Sequence, residues 1–239
     1  MTALTSALGP VLSAEEWTAV VLSLKVATVA VAASLPFGIW VATVLARSRL
    51  PGLWLLNALV HLPLILPPVV TGYALLLTFG RRGWVGQFLD QWFGFTFAFQ
   101  WTGAALAAAV MSFPLMVRSI RLAIEAVDPK LEQAASTLGA SRIAVFFTVT
   151  LPLIAPGVIA GMIVAFAKAM GEFGATITFV SNIPGRTQTL PSAIYAFLQV
   201  PGGEVQAARL AGVSVAIAVG ALVASEVIAR RVAKRIGGQ

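Results

Sequence analysis

Five long apolar stretches, separated by short polar connections, run along the 239 residues of this chain. Each is long enough to cross the roughly 30 Å hydrocarbon core of a bilayer as a helix. They predict helices over Trp17 to Ala46, Leu53 to Phe79, Phe99 to Val117, Leu153 to about Ile177, and about Ala208 to Ala229. A β-barrel would show segments of about ten residues with alternating polarity. The apolar runs here are far longer and rich in Ala, Leu and Gly. The chain is therefore read as an all-α integral membrane protein with five transmembrane helices and one transmembrane domain over residues 1–239. Helices satisfy their own backbone polar groups in lipid, as that environment requires.

Several positions depart from a plain apolar helix. The first span, at about 30 residues, would reach roughly 45 Å and must tilt or extend into water. Pro63, Pro67 and Pro68 interrupt the second span. Such breaks are tolerated at depth where protein or a water-filled cavity re-satisfies the freed carbonyls, so the prolines mark either a pore lining or a simple kink. Gly157 and Gly161 form a small-xxx-small pair on the fourth span, and Ala104, Ala105, Ala107, Ala108 and Ala109 line the third. Both patterns permit close helix approach. The piece Leu190 to Leu198 is too short to cross and is expected as a re-entrant or surface helix.

Charge points to an orientation. Hydrophobic residues make up 59% of the chain and charged ones only 10%, too few to cover the surface of a soluble domain. The net charge of +7 resides in short connections beside the spans, which argues for topology signals and against nucleic acid. With the N-terminus outside and the C-terminus in the cytoplasm, ten cations fall inside: Arg47, Arg49, Arg118, Arg121, Lys130, Arg142, Arg230, Arg231, Lys234 and Arg235. Four (Arg81, Arg82, Arg186 and Arg209) fall outside or near the outer boundary, and the positive-inside rule favours this arrangement. The first sixteen residues hold Glu15 and Glu16 and no basic residue, so the first apolar run is expected to be retained and not cleaved as a signal peptide. Without cysteine, disulfides, thiolate metal sites and cysteine nucleophiles are excluded.

This orientation places the stretch Leu131 to Pro152, LEQAASTLGASRIAVFFTVTLP, in the cytoplasm. Asp128 is a suitable N-cap and Pro129 suits the first helical position, so a helix is predicted from Asp128 until Gly139 breaks it. Leu131, Ala134, Ala135 and Leu138 recur at helical spacing and form a small apolar face rimmed by Lys130, Glu132 and Gln133. That face suits insertion into a groove of another protein. A helix lying on the bilayer surface would show the same pattern.

The pattern Q-A-A-x3-G-x9-V-x-L-P, from Gln133 through Pro152, resembles the cytoplasmic signature of permease subunits of binding-protein-dependent ABC importers, EAA-x3-G-x9-I-x-LP. Gln133 replaces the leading glutamate and Val149 the isoleucine, with Glu132 beside Gln133 as a possible source of the charge. The runs LPLILPPVVTGYALLLTFGRRGWVG (Leu62 to Gly86) and GEFGATITFVSNIPGRTQTLPSAIYAFLQVPGGE (Gly171 to Glu204) resemble the molybdate branch of that family. The resemblance implies a type I importer permease fold in the bacterial inner membrane. It implies that a coupling loop of about residues 128–147 seats Leu131, Glu132, Gln133, Ala134, Ala135, Leu138 and Gly139 against an ATP-binding subunit. It implies a homodimer of this chain with two copies of that subunit, an external molybdate-binding protein, and alternating access driven by ATP. ATP and magnesium would be held by the partner, and no cofactor by this chain.

The residues agree with a chain that borrows its energy. No G-x4-G-K-[ST] phosphate loop occurs, nor any Gly-Lys pair. The single histidine, His61, cannot build a two-histidine metal site and reads as a packing residue. Lys168 and Glu172 are four apart on one helical face, where each penalises the other's absence. They are either a mutual ion pair or a translocation element in which Lys168 attracts an entering dianion and Glu172 prevents its tight retention. Lys25, eight residues into the first span, is expected to snorkel to the outer interface. The competing readings are a permease for sulfate or another small oxyanion, an ion-driven carrier or channel, and an intramembrane enzyme. No internal repeat supports the carrier and no acid-base constellation supports the enzyme.

Overall fold

The computed structural model describes the backbone of residues 12–48 and 50–236, and side chains through Ala224 together with Val227. Arg49 and the side chains of Arg230, Arg231, Lys234 and Arg235, counted above among the cytoplasmic cations, lie outside that description. Every regular element among the described residues is a helix. In chain order they are α1 (Ala14–Arg47), α2 (Leu53–Ile65), α3 (Pro68–Phe79), α4 (Trp84–Phe93), α5 (Trp101–Glu125), α6 (Pro129–Thr137), α7 (Arg142–Met170), α8 (Gly174–Val180), α9 (Leu190–Leu198) and α10 (Glu204–Ile236).

Among the described residues, four helices are long and apolar enough to cross a membrane unbroken, namely α1, α5, α7 and the first 21 residues of α10. The second predicted span is different. It is no continuous helix: α2 and α3 meet at a 114° bend, and only as a bent pair do they make a fifth span. The cause is local. Proline restrains its predecessor to extended backbone, and Leu66 (ψ 143°) and Pro67 (ψ 135°) both adopt it. Pro68 then starts α3 where a missing N–H costs nothing. Pro63, by contrast, sits inside α2 without ending it.

Boundaries also shift at the other spans. The third extends eight residues past Val117 to Glu125, because Arg121 reaches both Glu125 (2.7 Å) and Asn57 Oδ1 (3.2 Å) and keeps the polar end helical. The fourth was expected from Leu153 to Ile177, but begins at Arg142 with Ser141 capping the Ala144 N–H. It passes through a π turn, Phe146–Thr150, and stops at Met170. The π turn lies just before Pro152, whose ring would clash with the carbonyl four residues back in a regular α-helix.

The core is divided along the bundle. Near the α6 end, Val41, Ala42 and Leu45 of α1 pack with Met116, Val117, Ile120 and Ile124 of α5 and with Ile154 and Val158 of α7. Toward the opposite end, Leu22, Val26 and Ala30 pack with Ala104, Ala107 and Ala108, Ala169, Leu75 and Phe179. The small-residue patterns work as expected. A Cβ on Gly157 would strike Ala123 Cβ, one on Gly161 would lie 3.2 Å from the Met116 carbonyl oxygen, and Ser119 Oγ donates to the Gly157 carbonyl at 3.2 Å.

The helix expected over Leu190 to Leu198 forms with those bounds and packs one face on the bundle. Leu190 and Ala193 are buried against Ala19 and Val20 of α1 and Leu210 of α10, and the Leu190 N–H donates to Ser23 Oγ at 2.6 Å. Beside it, Glu16 at the start of α1 is fully buried. It completes a capping box with Ser13 and accepts two bonds from Arg209, at 3.1 and 3.2 Å. Arg209, read above only as an outer-boundary charge, thus joins the first helix to the last. Lys25 Nζ lies 3.6 Å from the centroid of the Trp101 ring at the start of α5, a cation–π contact. His61 Nδ1 is 2.9 Å from the Asn57 carbonyl oxygen one turn earlier in α2.

Candidate functional site: a coupling helix and a charged joint between half-helices

Asp128 ends the extended approach to α6 by accepting the Lys130 N–H at 2.9 Å, and Pro129 opens the helix. Leu138 closes it, and Gly139 follows at φ +88°, a left-handed conformation that glycine adopts without strain. No residue of α6 is buried. Leu138 is 89% exposed and Leu131 49%, and Gln133, Ala134 and Gly139 are exposed as well. Leu131 and Leu138 thus give a short, otherwise polar helix an exposed apolar pair.

Glu132 behaves differently from its neighbours. Its Oε1 accepts from Arg47 Nη2 at 3.3 Å and from Thr150 Oγ1 at 2.8 Å, and Arg47 Nη2 also donates to the Val127 carbonyl at 3.2 Å. Glu132 and Ala135 are half-buried and face the bundle. Seven residues were named for coupling. The structure places Leu131, Gln133, Ala134 and Leu138 outward, Gly139 at the break, and Glu132 and Ala135 inward. Glu132 is therefore a tie to the last turn of α1 and the π turn of α7. Arg47 and Thr150 were missed as members of this tie. Arg47 is 85 residues from Glu132, and nothing local in the sequence links them.

At the other end of α7, Lys168 Nζ lies 2.9 Å from Glu172 Oε2, so the pair forms a direct ion pair. The second carboxylate oxygen, Oε1, accepts the Ala175 N–H at 3.0 Å and so caps α8. The Glu172 side chain is 2% exposed and that of Lys168 31%. A buried carboxylate is held by partners on both sides of the α7–α8 break, while the ammonium keeps a face to its surroundings. Gly174, at the start of α8, packs on Pro68 at the start of α3, where an added Cβ would lie 2.8 Å from Pro68 Cβ. Two interrupted spans thus meet at their break points. Among the described residues, no group of three or more His, Asp or Glu side chains is placed to hold a metal.

Residues 34–237 match the family described as the binding-protein-dependent transport system inner membrane component. The chain belongs to that family. A relative from Escherichia coli K12, the molybdenum transport system permease protein ModB, is 62% identical over 227 residues, covering 95% of this chain and 99% of the relative. The protein of that name from Haemophilus influenzae is 54% identical, covering 93% and 97%. The sulfate transport system permease protein CysT of E. coli is 39% identical over 163 residues, 68% of this chain and 58% of that one. Among solved structures, a bacterial ABC transporter that imports alginate superposes with a TM-score of 0.69 at 20% identity, covering 92% of this chain and 80% of that one. At that identity the likeness concerns the fold alone, which is that of a type I importer permease. The family member described here is a multi-pass inner-membrane transport component.

Proposed function

We propose that this chain is the permease subunit of an ATP-driven importer of molybdate, receiving the oxyanion from an external binding protein. The observation that carries the reading is the 62% identity extending over 95% of the chain to a molybdenum permease, against 39% over 68% for a sulfate permease. Two copies of the chain pair across the membrane, with the N-terminus outside and the C-terminus in the cytoplasm. An ATP-binding subunit, holding ATP and magnesium, takes the outward face of each α6 at Leu131, Gln133, Ala134 and Leu138.

In this reading the ATPase moves α6, and the Glu132 tie passes that movement to α1 and α7 without a loose joint. Transport is then alternating access of the paired bundles. Lys168 and Glu172 form the translocation element. The half-exposed ammonium draws the dianion, and the carboxylate already bonded to it limits how tightly an anion is held, which suits a path that must release its cargo.

The test is uptake of labelled molybdate into liposomes holding this chain, its ATPase and its binding protein. ATP-dependent uptake blocked by tungstate and not by excess sulfate is expected. Blockage by sulfate transfers the substrate to the sulfate class, and uptake without ATP defeats the importer reading. Lys168→Met is expected to lower uptake about tenfold, as one favourable charge contact is lost, while ATPase binding persists. Unchanged uptake in that variant would remove Lys168 from the pathway.

A further inference from the structure

The connection between α3 and α5 carries a feature that lies apart from α6 and from the Lys168–Glu172 pair. Trp84, Phe88 and Trp92 recur at every fourth position of α4 and are 76%, 52% and 73% exposed, while Val85 and Leu89 turn toward the protein. An aromatic stripe on a helix beside the spans is the pattern found where hydrocarbon meets headgroups. Phe79 and Phe97 stack edge to face at 5.7 Å and hold this connection against the end of α3.

Arg81 and Arg82 immediately precede α4, and both are exposed. Neither pairs with a carboxylate among the described residues. Their turn is firmly built. The Gly83 N–H donates to the Gly80 carbonyl at 2.8 Å, and Gln87 Nε2 donates to the Arg82 carbonyl at 3.1 Å. A Cβ on Gly83 would lie 2.5 Å from the Leu77 carbonyl oxygen, and one on Gly86 would strike the Gly80 carbonyl oxygen, so the turn is closed to side chains at both glycines. The two arginines edge a recess of about 340 Å³ whose other walls are Leu76 and Leu77 of α3 and Phe99. Phe99 holds its ring there from a left-handed backbone, φ +59°, uncommon for a bulky residue.

We propose that this recess binds one anionic phospholipid, its phosphate between Arg81 and Arg82 and an acyl chain along Leu76 and Leu77. The order of chemistry along the recess, cations at the edge and leucines down the span, matches the order along such a lipid. The aromatic stripe sets the arginines at headgroup depth. A guanidinium offers a phosphate paired donors in a fixed plane, and the low dielectric beside the acyl region strengthens the attraction. A soluble anion would leave the leucine wall unused. An acidic protein surface would likewise leave the leucine wall unused.

The test uses the complex of this chain with its ATPase subunit, delipidated in detergent and titrated with phosphatidylglycerol or phosphatidylcholine while bound lipid is counted by native mass spectrometry. The wild-type complex is expected to retain phosphatidylglycerol about tenfold better than phosphatidylcholine, and the Arg81→Gln/Arg82→Gln variant to lose that preference. Arg81→Lys/Arg82→Lys is expected to keep part of it. Equal retention of the two lipids by the wild-type complex overturns the proposal, whatever the variants do. So does displacement of phosphatidylglycerol by glycerol phosphate at equal concentration, which identifies a free-anion site. Weakened capture of the external binding protein by the glutamine variant, with lipid preference intact, assigns the arginines to protein docking and overturns it as well.

Discussion

Leucine in place of Gly72 is expected to destabilise the bundle by about 3 kcal/mol or more, the upper range for overpacking a rigid contact. A Cβ at this position would lie 2.5 Å from the Ala175 carbonyl oxygen, 2.8 Å from Ala175 Cα and 2.9 Å from Thr178 Cβ. Two of these atoms belong to the backbone of α8, so no change of side-chain rotamer relieves the clash. The helices α3 and α8 must separate at the point where both broken spans meet. Since Glu172 caps α8 and pairs with Lys168, separation also disturbs the charged joint. The measurement is thermal loss of the monodisperse peak in detergent, with Gly212→Leu as the comparison. Among the described residues nothing lies within 4 Å of a Cβ on Gly212, and that variant is expected to melt no earlier than wild type. Identical melting of the two variants would mean that the crossing is not tight.

The second large effect concerns Leu138. An aspartate there is expected to weaken binding of the ATPase subunit between about tenfold and a hundredfold, the loss of roughly 1.5–3 kcal/mol of leucine burial. Leu138 is 89% exposed and touches little of this chain, so the melting temperature of the isolated permease should not move. Glu132→Gln provides the contrast. Its side chain faces Arg47 and Thr150, so the ATPase should still bind while ATP-driven uptake falls. Co-purification separates the two outcomes. If Leu138→Asp retains the ATPase at normal stoichiometry and affinity, the outward face of α6 is not the docking face.

Much of α6 was legible in the sequence because its signals are local. Asp128 and Pro129 mark its start and Gly139 its end, and the apolar positions repeat within nine residues. The unbroken spans were legible for a related reason, since a long apolar run has few other fates. The break in the second span was harder to locate. Hydropathy continues through Leu66 and Pro67, and three prolines lie close together while only the Pro67–Pro68 pair ends a helix. Pro63 shows that a proline alone is insufficient evidence for a break. The interruption after Met170 was hidden in the same way by an apolar continuation into α8. The ties Arg47 to Glu132 and Glu16 to Arg209 connect residues 85 and 193 apart, and only the packed bundle brings them together. Their residue types were visible, but their partners were not.

The π turn at Phe146–Thr150 sets the phase of everything that follows it on α7. A π turn holds one residue more than an α turn, and one residue corresponds to about 100° of rotation about the helix axis. Ile154, Val158, Gly161 and Ala165, which face α5 and the core, do so because that offset precedes them. Deleting a single residue between Phe146 and Thr150 would turn this whole row toward a neighbouring face while leaving composition and hydropathy almost unchanged. The stretch between α6 and the rest of α7 therefore acts as an angular setting for the span, written in the number of residues it contains.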